Sequence, residues 1–309
     1  MSKQSSKKIK IPPDLLKILK KAGLSPFELQ SWKKTVNYSI SASINYILFF
    51  QDTTLFLKRY RENAFPYNEF DTLEILTKIK GKGFYLPRII KKQKGAEPFL
   101  LQEYLPFPSL NKKKLGVEDL NHFLIRYRLF HNSLPTKETI GPVGKWSHSW
   151  LTPNLTNPRQ LFLKATFRLI KRLLIKEKNA IKELFDLLYR LSLLPDYLFP
   201  RGPFRLCHGD LTLRNIIQNK DKYYLVDWEY SFIGPAEKDL ADFLADYLLL
   251  SGQKISLIKK LNLEGFSFKS ILVFMIPQIL TQAWIASWSN KKLDYFFKLV
   301  EKILRELGF

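Results

Sequence analysis

The feature that most constrains this chain is the segment from Leu206 to Leu240, LCHGDLTLRNIIQNKDKYYLVDWEYSFIGPAEKDL. It sets Asp210 five residues before Asn215, and Asn215 twelve residues before Asp227. Apolar, strand-like runs flank the polar breaks that hold them. Phe204 to Cys207 leads into His208-Gly209-Asp210, where Gly209 permits a tight backbone path. Ile216-Ile217 and Tyr223 to Val226 read as short strands joined by a turn from Asn219 to Lys222. Such a hairpin carries Asn215 and Asp227 at its outer ends and brings them together, with Asp210 one short loop away. An amide oxygen and a carboxylate form the partial oxygen set that magnesium completes with waters and phosphates. Asp210 is then free to orient and deprotonate a hydroxyl. Taken singly, each residue is as well explained as a turn cap or a strand end. The three together point to phosphoryl transfer.

Length and charge set the frame around that segment. The 309 residues are 46% hydrophobic, enough for one large domain or two smaller lobes with a real core. Fifty Lys+Arg against 28 Asp+Glu give a net charge of +22 and a pI near 9.8. That field draws anions: nucleic acid, anionic lipid or a phosphorylated substrate. The basic clusters, Lys7 to Lys10, Lys91 to Lys94, Lys112 to Lys114 and Arg168 to Lys178, are spread along the chain and read as solvated faces. No basic stripe with interleaved aromatics indicates a nucleic-acid module. The single cysteine, Cys207, reads as a buried structural thiol, and with four scattered histidines it argues against structural zinc. The first ten residues lack a signal peptide's apolar core. The longest apolar stretch, Ile271 to Ala286, is interrupted by Pro277, Gln278, Thr281 and Gln282. A cytoplasmic protein without a membrane span is expected.

The pattern along the chain predicts an α+β fold. Strands are expected near 36–41, 44–50 and 54–60. Phe70, Leu73, Leu76 and Ile79 then keep helical spacing, with Asn68 as a usable cap. Arg88 to Lys91 and Phe99 to Tyr104 read as further strands, and Pro106 and Pro108 mark a lobe boundary. Residues 1–104 should thus form a basic extension, a mostly antiparallel sheet and one helix. Residues 105–309 should be mostly helical, with helices over Leu115 to Phe130, Pro158 to Glu177, Ile181 to Leu194, Ala236 to Leu250, Phe268 to Trp288 and Lys291 to Leu307. Pro277 is expected to bend the fifth of these. His131 to Asn157, with Trp146 and Trp150, reads as a long irregular connection of the kind that is usually functional.

The run H208-G-D-L-T-L-R-N215, followed by V226-D227-W228-E229 and then Gly234-Pro235 and Asp239-Leu240-Ala241, resembles the aminoglycoside phosphotransferase and choline kinase branch of the protein-kinase-like fold. Gly209 and Trp228 stand where eukaryotic-type protein kinases carry Arg and Phe. The resemblance covers roughly Asn37 to Phe243. It implies a bilobal fold, Asp210 as catalytic base, and Asn215 and Asp227 as ligands of Mg2+. His208 would hold the loop backbone, and Asp239 would anchor a helix start. Glu229 would either touch substrate or metal or stay at the surface.

The same resemblance implies an ATP site in the first lobe. Lys58, in LFLKRY, stands where the family's phosphate-binding lysine follows an apolar strand. Glu69 would hold it, with Glu74 the other candidate. The phosphate-covering turn falls at 39–45, with Ser41, Ala42 and Ser43 nearest the phosphates and no glycine. Glu103, Tyr104 and Leu105 in LLQEYL resemble the hinge that bonds adenine. The implied activity is ATP- and Mg2+-dependent transfer to a hydroxyl of a small molecule, sugar-like or anionic on grounds of charge, with no specific protein partner. Two alternatives stay open: a kinase of a large anionic envelope or protein acceptor, and a non-catalytic nucleotide- or nucleic-acid-binding protein with this fold.

Overall fold

The structure is a computed structural model that describes residues 9–35, 43–61, 66–79, 83–136, 185–187, 189–198, 200, 204–287 and 293–309. In chain order its first elements are α1 (Pro13–Ala22), β1 (Leu29–Lys34), β2 (Ser43–Phe50), β3 (Thr54–Tyr60), α2 (Pro66–Thr77), β4 (Phe84–Tyr85), β5 (Ile89–Gln93) and β6 (Phe99–Glu103). There follow α3 (Val117–Ser133), β7 (Arg205–Cys207), β8 (Ile216–Asn219), β9 (Lys222–Leu225), β10 (Phe232–Gly234), α4 (Ala236–Ser251), α5 (Phe268–Ser287) and α6 (Asp294–Leu307). The chain divides into two compact units, Met1–Asp71 with Leu86–Pro106, and Thr72–Tyr85 with Phe107–Phe309.

The first unit is built on a five-stranded antiparallel sheet of order β1-β2-β3-β6-β5. Successive side chains of β2 and β3 point to opposite faces of the sheet, and a polar turn at Gln51-Asp52 joins the strands. Leu48, Leu55, Leu57, Phe99 and Leu101 therefore share one face with Tyr46. Helix α1 covers that face with Leu15, Ile18 and Leu19, which sit three and four residues apart and are 0–2% exposed. Each such side chain contributes about 1.5–3 kcal/mol by leaving water. Pro13 opens α1, and Gly23 closes it in the left-handed region at φ 75°, where glycine carries no Cβ penalty.

The second unit is mostly helical around small β elements. The β8–β9 hairpin pairs Ile216 with Leu225 and Asn219 with Lys222, and β4 adds parallel to β9. Rings lock these strands to the helices. Phe84 of β4 lies 5.6 Å from Tyr223 of β9 and 5.5 Å from Phe123 of α3, and Phe123 stacks on Phe243 of α4 at 4.2 Å. Helix α5 is long and apolar enough to cross a membrane, yet Ile271 through Ile276, Ile279, Leu280 and Ala283 are fully buried inside the unit. It is the core helix here, with Pro277 within it.

Several sequence expectations need correction or fall elsewhere. Strand β1 and helix α1 were not anticipated. Helix α2 begins at Pro66, so Asn68 lies in its first turn rather than capping it. The strand expected at 36–41, Ser41 and Ala42 of the 39–45 turn, the helix 158–177, Trp288 and most of 131–157 lie outside the described residues. Of the helix expected at 181–194, residues 185–187 and 189–192 are described and helical.

Candidate active site

In the second unit the chemistry-bearing residues gather where β7 and the β8–β9 hairpin end. Asp210 lies three residues beyond the end of β7. Asn215 closes a short 3-10 turn, Leu213–Asn215, and leads directly into β8. Its carbonyl accepts the Val226 N–H at 3.0 Å, so Asn215 and Asp227 sit at the open end of one hairpin. The Asn215 side-chain amide donates to both Asp210 Oδ2 (2.9 Å) and the Asp210 carbonyl (2.8 Å), which ties the first two residues together. With its NH2 group spent, the Asn215 Oδ1 is the oxygen left to a ligand.

Asp227 itself is held at φ 70°, ψ 60°, a left-handed conformation that costs a non-glycine residue about 1–3 kcal/mol. Such strain persists only where the surroundings enforce it. Here Trp228, 1% exposed, donates its indole N–H to Leu225 O at 3.2 Å, and Ser231 and Thr72 share a buried hydroxyl bond of 2.6 Å. The carboxylate oxygens of Asp227 and Glu229 lie within 4.8 Å of each other. Glu229 is 5% exposed, so it is a buried neighbour of Asp227 and not a surface residue. An amide oxygen beside close carboxylates is a hard, oxygen-only donor set, which fits Mg2+.

A second layer fixes the loop. His208, 1% exposed, donates Nε2–H to the Val226 carbonyl at 3.0 Å and accepts the Asp210 N–H on Nδ1 at 3.4 Å. It thus spans the backbone on either side of the site. Asp239, in the first turn of α4, accepts the His208 N–H at 2.6 Å, the Gly209 N–H at 2.8 Å and the Tyr127 hydroxyl at 2.9 Å. Gly209 is required: its φ is +84°, and a Cβ there would collide with the Tyr230 carbonyl. Cys207 is fully buried with its Sγ near the Gly234 carbonyl, and burial pushes the thiol well above its ordinary range, as suits a structural residue.

Burial raises the Asp210 carboxyl above the usual carboxylate range; Arg214 opposes this and the Asp227 charge adds to it. Nearby on α4, burial pushes Asp242 up to about 7, against its ion pair with Lys238 at 2.5 Å. Asp246 accepts the Leu213 N–H at 2.9 Å.

In the first unit Lys58 of β3 and Glu69 of α2 form an ion pair of 2.7 Å with side chains 5% and 3% exposed, and the Tyr60 hydroxyl also donates to Glu69. Glu74, the other candidate partner, is exposed on α2 with Lys78 at 4.0 Å. Asn45 stands across the ladder from Lys58, and its amide oxygen is buried without a hydrogen-bond partner among the described residues. The sequence reading passed over Asn45; a polar residue inside the apolar run INYILFF was the available signal. Ser43 opens β2, 3% exposed. At the end of β6, Glu103 donates its N–H to the Arg88 carbonyl (2.9 Å) and accepts the Arg88 N–H on its carboxylate (2.9 Å). Tyr104 donates to the Thr54 carbonyl at 3.2 Å. Of the three expected hinge residues, Leu105 keeps its backbone N–H unspent among the described residues.

Residues 41–252 match the model of the phosphotransferase enzyme family. A LicA homolog from Metamycoplasma hominis is 27% identical over 180 residues, 58% of this chain and 68% of that protein. The solved choline kinase LicA from Streptococcus pneumoniae aligns with a TM-score of 0.60 at 16% identity, over 95% of this chain and 98% of its own. A spectinomycin phosphotransferase in complex with ADP and spectinomycin aligns with 0.57 at 14% identity, over 96% and 98%. An ethanolamine kinase from Plasmodium vivax gives 0.59 at 15%, over 97% and 90%. At these identities the solved structures establish the fold, which is protein-kinase-like and α+β, as the sequence led us to expect.

Proposed function

The chain belongs to the phosphotransferase enzyme family, and from that premise we propose that it moves the γ-phosphoryl group of ATP to a hydroxyl of a small molecule. The observation that carries this reading is the Asp210–Asn215 contact, made at the open end of the hairpin that leads to Asp227. Asp210 orients the acceptor hydroxyl and takes its proton, and a carboxyl raised by burial is better matched to that task than an ordinary one. Asn215 Oδ1 and Asp227 would hold Mg2+, with Glu229 beside them; the ion supplies charge neutralisation on the phosphates when bound. Lys58, kept extended by Glu69, binds phosphate oxygens. Asn45 and Ser43 line the strand opposite. Leu105 offers the backbone N–H for the adenine edge. Because ATP is the donor, the reaction belongs in the cytoplasm.

The acceptor reading that the relatives support best is an amino alcohol, since solved proteins of this fold are a choline kinase LicA and an ethanolamine kinase, and the curated relative is a LicA homolog. A second reading, a sugar-like or anionic acceptor, is favoured by the net charge of +22. ADP release from the full-length protein with Mg-ATP tests both, using choline, ethanolamine, hexoses, sugar phosphates, aminoglycosides and nucleosides as a panel. Saturable stimulation by one class selects it. No stimulation by any member, with ATP bound, would leave the binding-protein alternative.

A further inference from the structure

Arg214 immediately precedes Asn215. The 3-10 turn Leu213–Asn215 returns its side chain toward the start of the loop, so its Nη2 lies 3.5 Å from Asp210 Oδ2. That is the same oxygen that accepts the Asn215 amide. Two donors therefore hold one oxygen of the carboxylate, and Oδ1 has no hydrogen-bond partner among the described residues. The Arg214 side chain is 48% exposed and that of Asp210 is 21% exposed. A guanidinium carries five N–H donors in a rigid fork. The contact with Asp210 uses one of them, and the others have no partner among the described residues. The carboxylates of Asp210, Asp246 and Asp227 act on it electrostatically, so its charge is fixed beside the reacting group.

We propose that Arg214 is a further catalytic residue of the phosphoryl transfer. It holds Asp210 with Oδ1 turned to the acceptor hydroxyl, and its remaining N–H groups bind an oxygen of the phosphoryl group in transit. This rests on the reading of Asp210 as the base. A hydroxyl bonded to Oδ1 lies about 3 Å from it, and the phosphorus it attacks lies about 3–3.5 Å further. An arginine anchored on the other oxygen of that carboxylate has the length to reach this point. In the transfer the hydroxyl oxygen bonds to the γ-phosphorus, the bond to the bridging oxygen of departing ADP breaks, and the hydroxyl proton passes to Asp210 Oδ1. Arg214 stays protonated throughout. Charge spreads over the equatorial oxygens during this step, and a preorganised guanidinium stabilises it where it develops.

The bland alternative is that Arg214 only balances the carboxylates around the loop. Full-length protein with Mg-ATP separates the two, read as ATP hydrolysis and as transfer to whichever acceptor the panel selects. Arg214→Ala should lose about 10²-fold or more in kcat, with KM for ATP, ADP affinity by calorimetry and the thermal midpoint unchanged. Millimolar guanidinium ion should restore part of the loss in Arg214→Ala and none in Asp210→Asn. Arg214→Lys, which keeps the charge without the fork, should fall between. Arg214→Ala turning over as fast as wild type overturns the proposal. So does a loss shared with ADP affinity and thermal midpoint that guanidinium does not restore, because that is the signature of charge balance alone. A wild type that turns over no ATP overturns the parent reading as well, so the two failures are told apart.

Discussion

Replacing Glu69 by Gln keeps the shape of the side chain and removes the charge that faces Lys58. The pair is 2.7 Å apart with 5% and 3% of the side chains exposed, so water cannot take over the lost contact. Removing one partner of such a buried pair costs about 3–5 kcal/mol. Lys58→Met should cost a similar amount, because Glu69 would keep only the Tyr60 hydroxyl among its two named donors. The double variant, Lys58→Met with Glu69→Gln, removes both charges at once. It should be less destabilised than the sum of the single variants by about 2–3 kcal/mol. Two units need not unfold together, so the free energies are best read locally, from hydrogen exchange of the β2 and β3 amides. Single variants costing under about 1 kcal/mol, or a double variant equal to the sum within about 0.5 kcal/mol, would show that Lys58 and Glu69 are not energetically coupled.

Asp210→Asn should keep the thermal midpoint and ADP affinity while transfer falls by about 10²–10⁴-fold; wild-type turnover in this variant removes the base assignment. The buried Asp242 predicts a pH dependence. Its value in the fold, about 7, lies above the ordinary 3.8, so its contribution is whole below about pH 4 and is lost as pH rises through about 7. The amount is on the order of 2–4 kcal/mol. Lys238→Met removes the opposing ammonium and should destabilise more at pH 8 than at pH 6 in denaturant titrations. Equal destabilisation at the two pH values would show that Asp242 stays ionised across that range.

The parts of this fold that were legible in the sequence are those whose signal is local. The β8–β9 hairpin shows as two apolar runs about a polar turn, and its ends carry Asn215 and Asp227. Strands β2, β3 and β6 show as short apolar runs, and α4 to α6 by apolar spacing. Strand β1 was hidden because LQSWKK is an edge strand with one buried residue, Leu29. Helix α1 had a readable stripe, Leu15, Ile18 and Leu19, but it follows a lysine-rich segment and reads as its continuation. What the sequence could not show is tertiary. The N–H groups of Glu103 and Tyr104 find Arg88 and Thr54 only through sheet pairing. The burial of Glu229 depends on packing around Trp228. The reach of Arg214 to Asp210 depends on a 3-10 turn that no helical periodicity announces. The resemblance supplied Lys58 and Glu69 as a pair; spacing alone left Lys58 an ordinary strand lysine.

On the proposed function, this chain carries the ATP γ-phosphoryl group to a hydroxyl, using Asp227 with magnesium. Phosphorus NMR of Mg-ATP incubated with the protein and the acceptor panel reads that transfer directly. A new phosphomonoester resonance should grow as ADP appears, and chelating magnesium or Asp227→Ala should abolish it. Equal ester formation by Asp227→Ala would remove Asp227 from the transfer, and ATP left intact beside every acceptor would remove the transfer itself.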